Sequence, residues 1–362
     1  MKNPFSKIIS DESWALSEKR YEAFWNGSVA DRPPVSLILR GEQKVAPPVR
    51  PNYETLEQKW LDHAFRALEI SSNVENNVYY SDAMPTAFPN IGPEVFTAFC
   101  GAPYFFTATT AWTEPCIIDW DKDSGKAVVD FKSKYFAAVE NFTRELLKYS
   151  KDRFAVGFTD FHGGGDHLAA LRDPEVLCTD LYDYPDEVKA KIKSSNQEFF
   201  KVYDHFHGMI SGGGSPSTAW IPLVVDGRYN VVQNDFSCMV SAKMFEEFFL
   251  DGIKDECDHL DRCIYHLDGP NALIHLDALL KIPNLQAIQW VPGAGNDGYE
   301  RWIKVYQKIQ KAGKGVYLTA TINDLDRIFE TLTPEGIWFP FLSGVNTKED
   351  ADYALARIAK WK

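Results

Sequence analysis

CIYHLDG (263–269), LQAIQWVPG (285–293), GVYLTAT (315–321) and GIWFPFLSG (336–344) recur through the last third of the chain. Each is a short apolar run closed by glycine or a polar turn. Amphipathic stretches at 271–280, 299–312, 322–331 and 347–361 separate or follow them. Continuous apolar strands alternating with helices imply a parallel sheet covered on both faces. The same exchange extends backwards through the apolar run at 220–225, FAVGFTDFHGGGD (154–166), VYYSDAMPT (78–86) and VSLIL (35–39). Helical spacing is predicted through Asn26, over 53–70 and 134–149, and from 173 onward with a break at Pro185. Ser241 is placed to cap the helix that follows it. Residues 89–130, dense in proline, glycine and aromatics, read as an elaborated loop able to cover a site.

The expectation is therefore a (β/α)8 TIM barrel with an N-terminal helical extension. It forms one domain over 1–362, with its core from about residue 30. No linker-like composition break and no short repeat argues otherwise. A net charge of -13 speaks against nucleic acid, whose phosphates require basic patches. No apolar run approaches the roughly 20 residues that span a bilayer. The opening MKNPFSKIISDESWALSEKR lacks the apolar centre and cleavage site of a signal peptide. A cytoplasmic protein with six reduced cysteines is expected, none in a C-x-x-C pair.

Polar residues gather just after the strands: Arg40, Asp82, Asp160 with His162, Asn234 with Asp235, His266 with Asp268, Gln289 with Trp290, Thr319 with Thr321, and Ser343. In a barrel the C-terminal strand ends build the site, because the βα-loops converge there. An open doubly wound sheet would concentrate such residues near one crevice instead. Each position also has a plainer reading, as a turn-former or the cap of the next helix. TDFHGGGDH (159–167) offers two carboxylates and two imidazoles around flexible glycines, which favours chemistry. His275 and Asp277 fall within a helix, and His205 and His207 read as loop surface residues. Around Gly163–Gly165 neither G-x-G-x-x-G nor G-x-x-x-x-G-K-[ST] occurs, and the chain has no G-x-S-x-G elbow, so nucleotide and serine-hydrolase functions lack support.

The stretches DRPPVSLILR (31–40), YYSDAMPT (79–86), VGFTDFHGGGDHLAALRDPEVLCTDLYDYPDEV (156–188), NVVQNDFSCMVSAKMFEEFF (230–249) and YHLDGPNALIHLDALLKIPNLQAIQWVPGAGN (265–296) resemble the uroporphyrinogen-decarboxylase-like superfamily. That superfamily also holds the corrinoid-dependent methyltransferases, and the likeness runs from about residue 30 onward. Uroporphyrinogen decarboxylases carry an R-Q-A-G-R segment after the first strand, whereas this chain has Leu39-Arg40-Gly41-Glu42-Gln43. A tetrapyrrole polycarboxylate needs several cations, so that activity is not implied. Asp82 matches the family's S-D aspartate. The methyltransferase branch uses zinc held by H-x-C and a later cysteine. Here that position reads His266-Leu267-Asp268, and 336–344 has no cysteine. The resemblance thus implies a His/carboxylate zinc site rather than a thiolate one.

The reading that follows is a methyltransferase component moving a methyl group between a small substrate and a corrinoid carried by a partner protein. Asp82, Asp160, His162 and Asp268 are the expected catalytic groups, with His266 and Asp268 on the metal. Arg40, Asn234, Asp235, Gln289 and Trp290 are expected at the substrate. Two alternatives stand beside it. One is a decarboxylase or other lyase with Arg40 anchoring a small acid and Asp82 as electrostatic partner. The other is a non-catalytic ligand-binding barrel.

Overall fold

The computed structural model describes residues 1–123, 125–126 and 128–362; Ser124 and Ala127, within the expected 89–130 loop region, lie outside the described residues. Helix α1 (Asp11–Trp25) begins where Ser10 Oγ accepts the Ser13 N–H, with Asp11 and Glu12 in the first turn facing the positive end of the helix dipole. Strands β1 (Ser36–Arg40), β2 (Asn77–Ser81), β3 (Thr86–Ala87) and β4 (Ala155–Val156) follow. Next come helix α2 (Gly164–Arg172), helix α3 (Pro185–Gly212) and strand β5 (Tyr229–Gln233). Helix α4 (Leu250–His259), β6 (Arg262–Asp268), β7 (Ala287–Val291), helix α5 (Tyr299–Lys311), β8 (Gly315–Tyr317) and β9 (Ile337–Trp338) complete the frame.

Five strands form one parallel sheet in the order β9-β8-β7-β6-β5. Their register sets Gln233, His266, Gln289, Tyr317 and Trp338 in a single row on one face. A parallel bridge from Val35 to Phe339 extends the sheet beyond β9, and β3 pairs β4 in parallel. The Phe158 N–H donates to Thr218 O at 3.1 Å, tying the end of β4 to the segment before β5. The fold is α/β with a parallel sheet, as expected, but a continuous eight-stranded ladder is not formed among the described residues.

The largest departure is at β1 and β2. They pair antiparallel along their whole length, Ser36 opposite Ser81 and Arg40 opposite Asn77, rather than entering the sheet as successive parallel strands. Only the Val35 end of this pair meets the sheet. Ile38 and Val78 are exposed, so the outer part projects to the surface. Alternating apolar residues mark a strand but carry no information on its direction. The 53–70 helix is likewise divided into Leu56–Leu61 and His63–Asn76, because Asp62 turns to cap the second by accepting the Phe65 N–H. His205 and His207 lie within α3, not in a loop. Gly208 costs the helix only about 1 kcal/mol, and buried Tyr203, Phe206 and Ile210 on either side hold it.

The core has two parts. One lies between the sheet and its helices. The other lies on the inner face of the strands, where α1 inserts Trp14, Tyr21, Phe24 and Trp25 among Tyr229, Val231, Ile264, Ala287 and Trp338. Trp338 meets Tyr21 and Phe24 edge-on at 5.9 and 5.8 Å, geometries that suit the ring quadrupoles. The N-terminal extension is therefore the plug of the sheet's inner face. Gly315 marks how closely it seats: a Cβ there would lie 2.8 Å from Phe24 Cε2 and 3.0 Å from Ala287 Cβ. Gly315→Ala should cost about 1–3 kcal/mol through overpacking. A urea-unfolding midpoint equal to that of the unaltered protein would refute the tight seat.

Candidate functional site

Strand alternation decides which residues of the register row face inward. On β6, His266 and Asp268 share a face, and on β7 Gln289 joins them while Trp290 points the other way. Gln289 does not need to touch a ligand to matter. Its Oε1 accepts from His266 Nδ1 at 2.6 Å, which commits the proton to Nδ1 and leaves the Nε2 lone pair free. The Trp220 ring meets the imidazole edge-on at 5.2 Å. Burial, first, lowers the His266 pKa below the ordinary histidine value, so the ring is neutral at pH 7.

Asp235 comes to this ring from the loop after β5. One ring nitrogen of His266 and one carboxylate oxygen each from Asp235 and Asp268 all lie within 4.8 Å of one another, and His266 Nε2 is 4.0 Å from Asp235 Oδ1. The Asp235 side chain is 45% exposed as a whole, yet its Oδ1 is sealed from solvent and has no hydrogen-bond partner among the described residues. Gln233 Nε2 donates to the other oxygen at 3.2 Å. Burial, then the Asp166 carboxylate, raises the Asp235 pKa to about 7 despite the opposing influence of His162. Asp166, in the first turn of α2, fixes this loop by accepting the backbone N–H groups of Asp235 at 3.0 Å and Phe236 at 2.8 Å.

The Gly163–Gly165 turn carries a second charge pair. His162 Nε2 lies 2.8 Å from Asp160 Oδ1. Burial opposes a charge on His162, but Asp160, with Asp166 and Asp235 beyond it, prevails and raises the imidazole to about 9. At neutral pH His162 is an imidazolium beside a neutral His266. Beneath the turn, Glu256 is 5% exposed, and burial raises its carboxyl to about 8, so it is protonated. A Cβ on Gly165 would lie 2.6 Å from Asn234 Oδ1, which is why glycine stands there. Asn234 itself is buried, with neither side-chain polar atom hydrogen-bonded among the described residues.

The structure thus brings together Asp160, His162, Asn234, Asp235, His266, Asp268 and Gln289. Three expected site residues are elsewhere. Asp82 is fully buried, and both its oxygens are taken. Oδ1 accepts from Ser17 Oγ and Arg20 Nη1, each at 2.8 Å, and Oδ2 accepts from Arg32 Nη1 at 2.7 Å and the Val35 N–H at 2.9 Å. It anchors α1 to the first strand and has no lone pair to offer a substrate. Arg40 is exposed at the outer end of the β1–β2 pair. Trp290 is wholly buried against Trp302 of α5, centroids 4.9 Å apart, because it follows Gln289 and so faces the helix layer. Gln233 and Glu256 carry no motif that singles them out in the sequence, and Asp166 stands out only as the second carboxylate of TDFHGGGDH. Gln233 could have been found by alternation, two residues past the inward-facing Val231. Glu256, in an amphipathic helix, gives no such signal.

Fold and site together describe an α/β protein with imidazoles and carboxylates at the C-terminal ends of parallel strands. No protein-family profile matches the chain, and no curated protein matches it. Its structure is similar to that of a methyltransferase from Methanosarcina mazei, with a TM-score of 0.58 at 11% sequence identity, over 94% of this chain and 98% of that one. At that identity the likeness establishes a shared α/β fold and nothing about activity. No helix among the described residues is long and apolar enough to cross a membrane.

Proposed function

We propose that the chain is a methyltransferase of the uroporphyrinogen-decarboxylase-like kind on a closed eight-stranded barrel. It would move a methyl group from a small cytoplasmic substrate to a corrinoid carried by a partner protein. The observation that carries this reading is the Asp235–His266–Asp268 cluster, with the histidine tautomer set by Gln289. The donor set fits a divalent ion such as zinc. It has one imidazole nitrogen with a free lone pair, two carboxylates, an unpartnered buried oxygen on Asp235, and an outer partner orienting the ring. An imidazole and two carboxylates are harder ligands than thiolates, and zinc held by them supplies Lewis acidity toward an ether, hydroxyl or amine heteroatom.

The chain's own groups do the rest. As the methyl group leaves, its heteroatom keeps the bonding pair and needs a proton. His162, charged at neutral pH and 2.8 Å from Asp160, is the donor assigned to it. Trp220 supplies an apolar wall beside His266. Arg40 and Asp82 take no part, which weighs against the small-acid decarboxylase that relied on them. The test is incubation of the zinc-loaded protein with free cob(I)alamin and methoxylated or methylamine donors. Methylcobalamin is expected from one donor class, with the rate lost in His162→Gln. Absence of product with every donor class would overturn the reading.

A further inference from the structure

A cleft of about 220 Å³ opens between the Leu56–Leu61 and His63–Asn76 helices and the tip of the Tyr104–Phe106/Ala111–Thr113 hairpin, and shares no residue with the cluster described above. Its charge runs against that of the chain. Arg50, Lys59 and Arg66 line it against a single acid, Glu69, in a protein of net charge -13. Glu69 is committed to Arg50, with Oε1 2.6 Å from Nη2.

Lys59 and Arg66 have no carboxylate within ion-pair distance among the described residues. Lys59 Nζ donates to Ala108 O at 3.3 Å. The Arg66 guanidinium donates to the carbonyls of Trp60 and Asn90, each at 2.7 Å. Arg66 is wedged between two rings, 5.1 Å from the Trp60 centroid and 4.7 Å from that of Phe142. Burial depresses its pKa to about 10, an unusual state for a guanidinium and one that a bound negative charge would relieve. Two carbonyl contacts use only part of its five N–H donors.

The walls are equally specific. Trp60 is fixed by its Nε1–H to Thr107 O at 2.8 Å and stacks on Phe106, so its edge is presented rigidly. Phe65 lines the cleft beside Arg50. Cations without acid partners beside fixed aromatic edges suit a ligand with a charged head and a flat apolar body.

We propose that this cleft binds a small organic carboxylate, its head against Arg66 and Lys59 and its planar body against Trp60 and Phe65. Benzoate is the probe, with benzamide as its neutral isostere and inorganic phosphate as a head without a body, each titrated by calorimetry. Benzoate should bind saturably, and benzamide about tenfold or more weaker, as loss of a charge-assisted contact implies. Arg66→Gln should abolish binding, but Arg66 also holds the carbonyls of Trp60 and Asn90, so its loss perturbs the fold as well. Lys59→Gln leaves the packing intact and should weaken benzoate severalfold. Equal binding of benzoate and benzamide, phosphate binding without benzoate binding, or unchanged affinity in Lys59→Gln would each overturn the proposal. So would no saturable binding of any probe.

Discussion

Replacing Asp82 by alanine should remove about 3–5 kcal/mol of folding stability, the usual cost of breaking a buried ion pair. The carboxylate meets Arg20 and Arg32 together, at 2.8 and 2.7 Å, with no exposure to water. Without it Arg32 loses its only close carboxylate among the described residues, while Arg20 keeps Asp31 at 2.6 Å. Part of the charge imbalance is therefore relieved, and the lower end of the range is the better expectation. Urea unfolding measures it, and a loss under about 1 kcal/mol would contradict the anchoring role. The pH dependence has a definite sign. Burial pushes the Asp82 pKa up, but the Arg32 and Arg20 charges and the Val35 N–H outweigh it and hold the carboxyl below its ordinary value. A depressed carboxylate stabilises the fold above the unfolded pKa, and that contribution is lost as pH falls through the folded one. Asp82→Ala should accordingly flatten the acid limb of the stability profile while leaving the specific activity of the folded fraction unchanged.

The second large effect is on metal binding. His266→Ala removes the one nitrogen donor of the Asp235–His266–Asp268 group and should reduce zinc affinity by more than the roughly 10–100-fold that loss of an outer partner costs. Gln289→Leu, which frees the ring to rotate or change tautomer, should fall within that 10–100-fold. Competition with a chromophoric chelator reads both. Full zinc retention in His266→Ala would move the metal to other ligands or dismiss it. Protons should compete with the ion from about neutral pH downward. The Asp235 carboxyl, raised to about 7, must be deprotonated before it can serve as a ligand.

Much of this architecture is legible in the sequence alone. The apolar runs after residue 260 appear as β6 to β9 in the expected order, and the polar residues that close β6 and β7 do converge. Their legibility comes from burial on both faces, which keeps each run apolar and bounded by turns. Asp82 looked the same in sequence, a polar residue closing a strand. Its partners Arg20 and Arg32 lie 62 and 50 positions away, and nothing local says that they turn toward it. Gln289 and Trp290 illustrate a different limit. Neighbours on a strand face opposite sides, so at most one of them could line the mouth, and pattern alone does not say which. The antiparallel course of β1 and β2 was hidden for the same reason: alternation is symmetric under reversal.

The plug formed by α1 also has a consequence for how the molecule assembles. Glu22 reaches Arg262, 240 positions further along the chain, and Phe24 rests on Trp338 and against Gly315. Such contacts close very long loops, whose entropy must be met before the contacts return anything. The helix can take its place only once β8 and β9 have joined the sheet. Until then its indole and phenyl rings stay open to water and to other chains. Interactions made that late are expected to form after the rate-limiting barrier to folding. Truncating α1 contacts such as Phe24→Ala should therefore speed unfolding more than it slows folding, as expected of a latch on the finished protein.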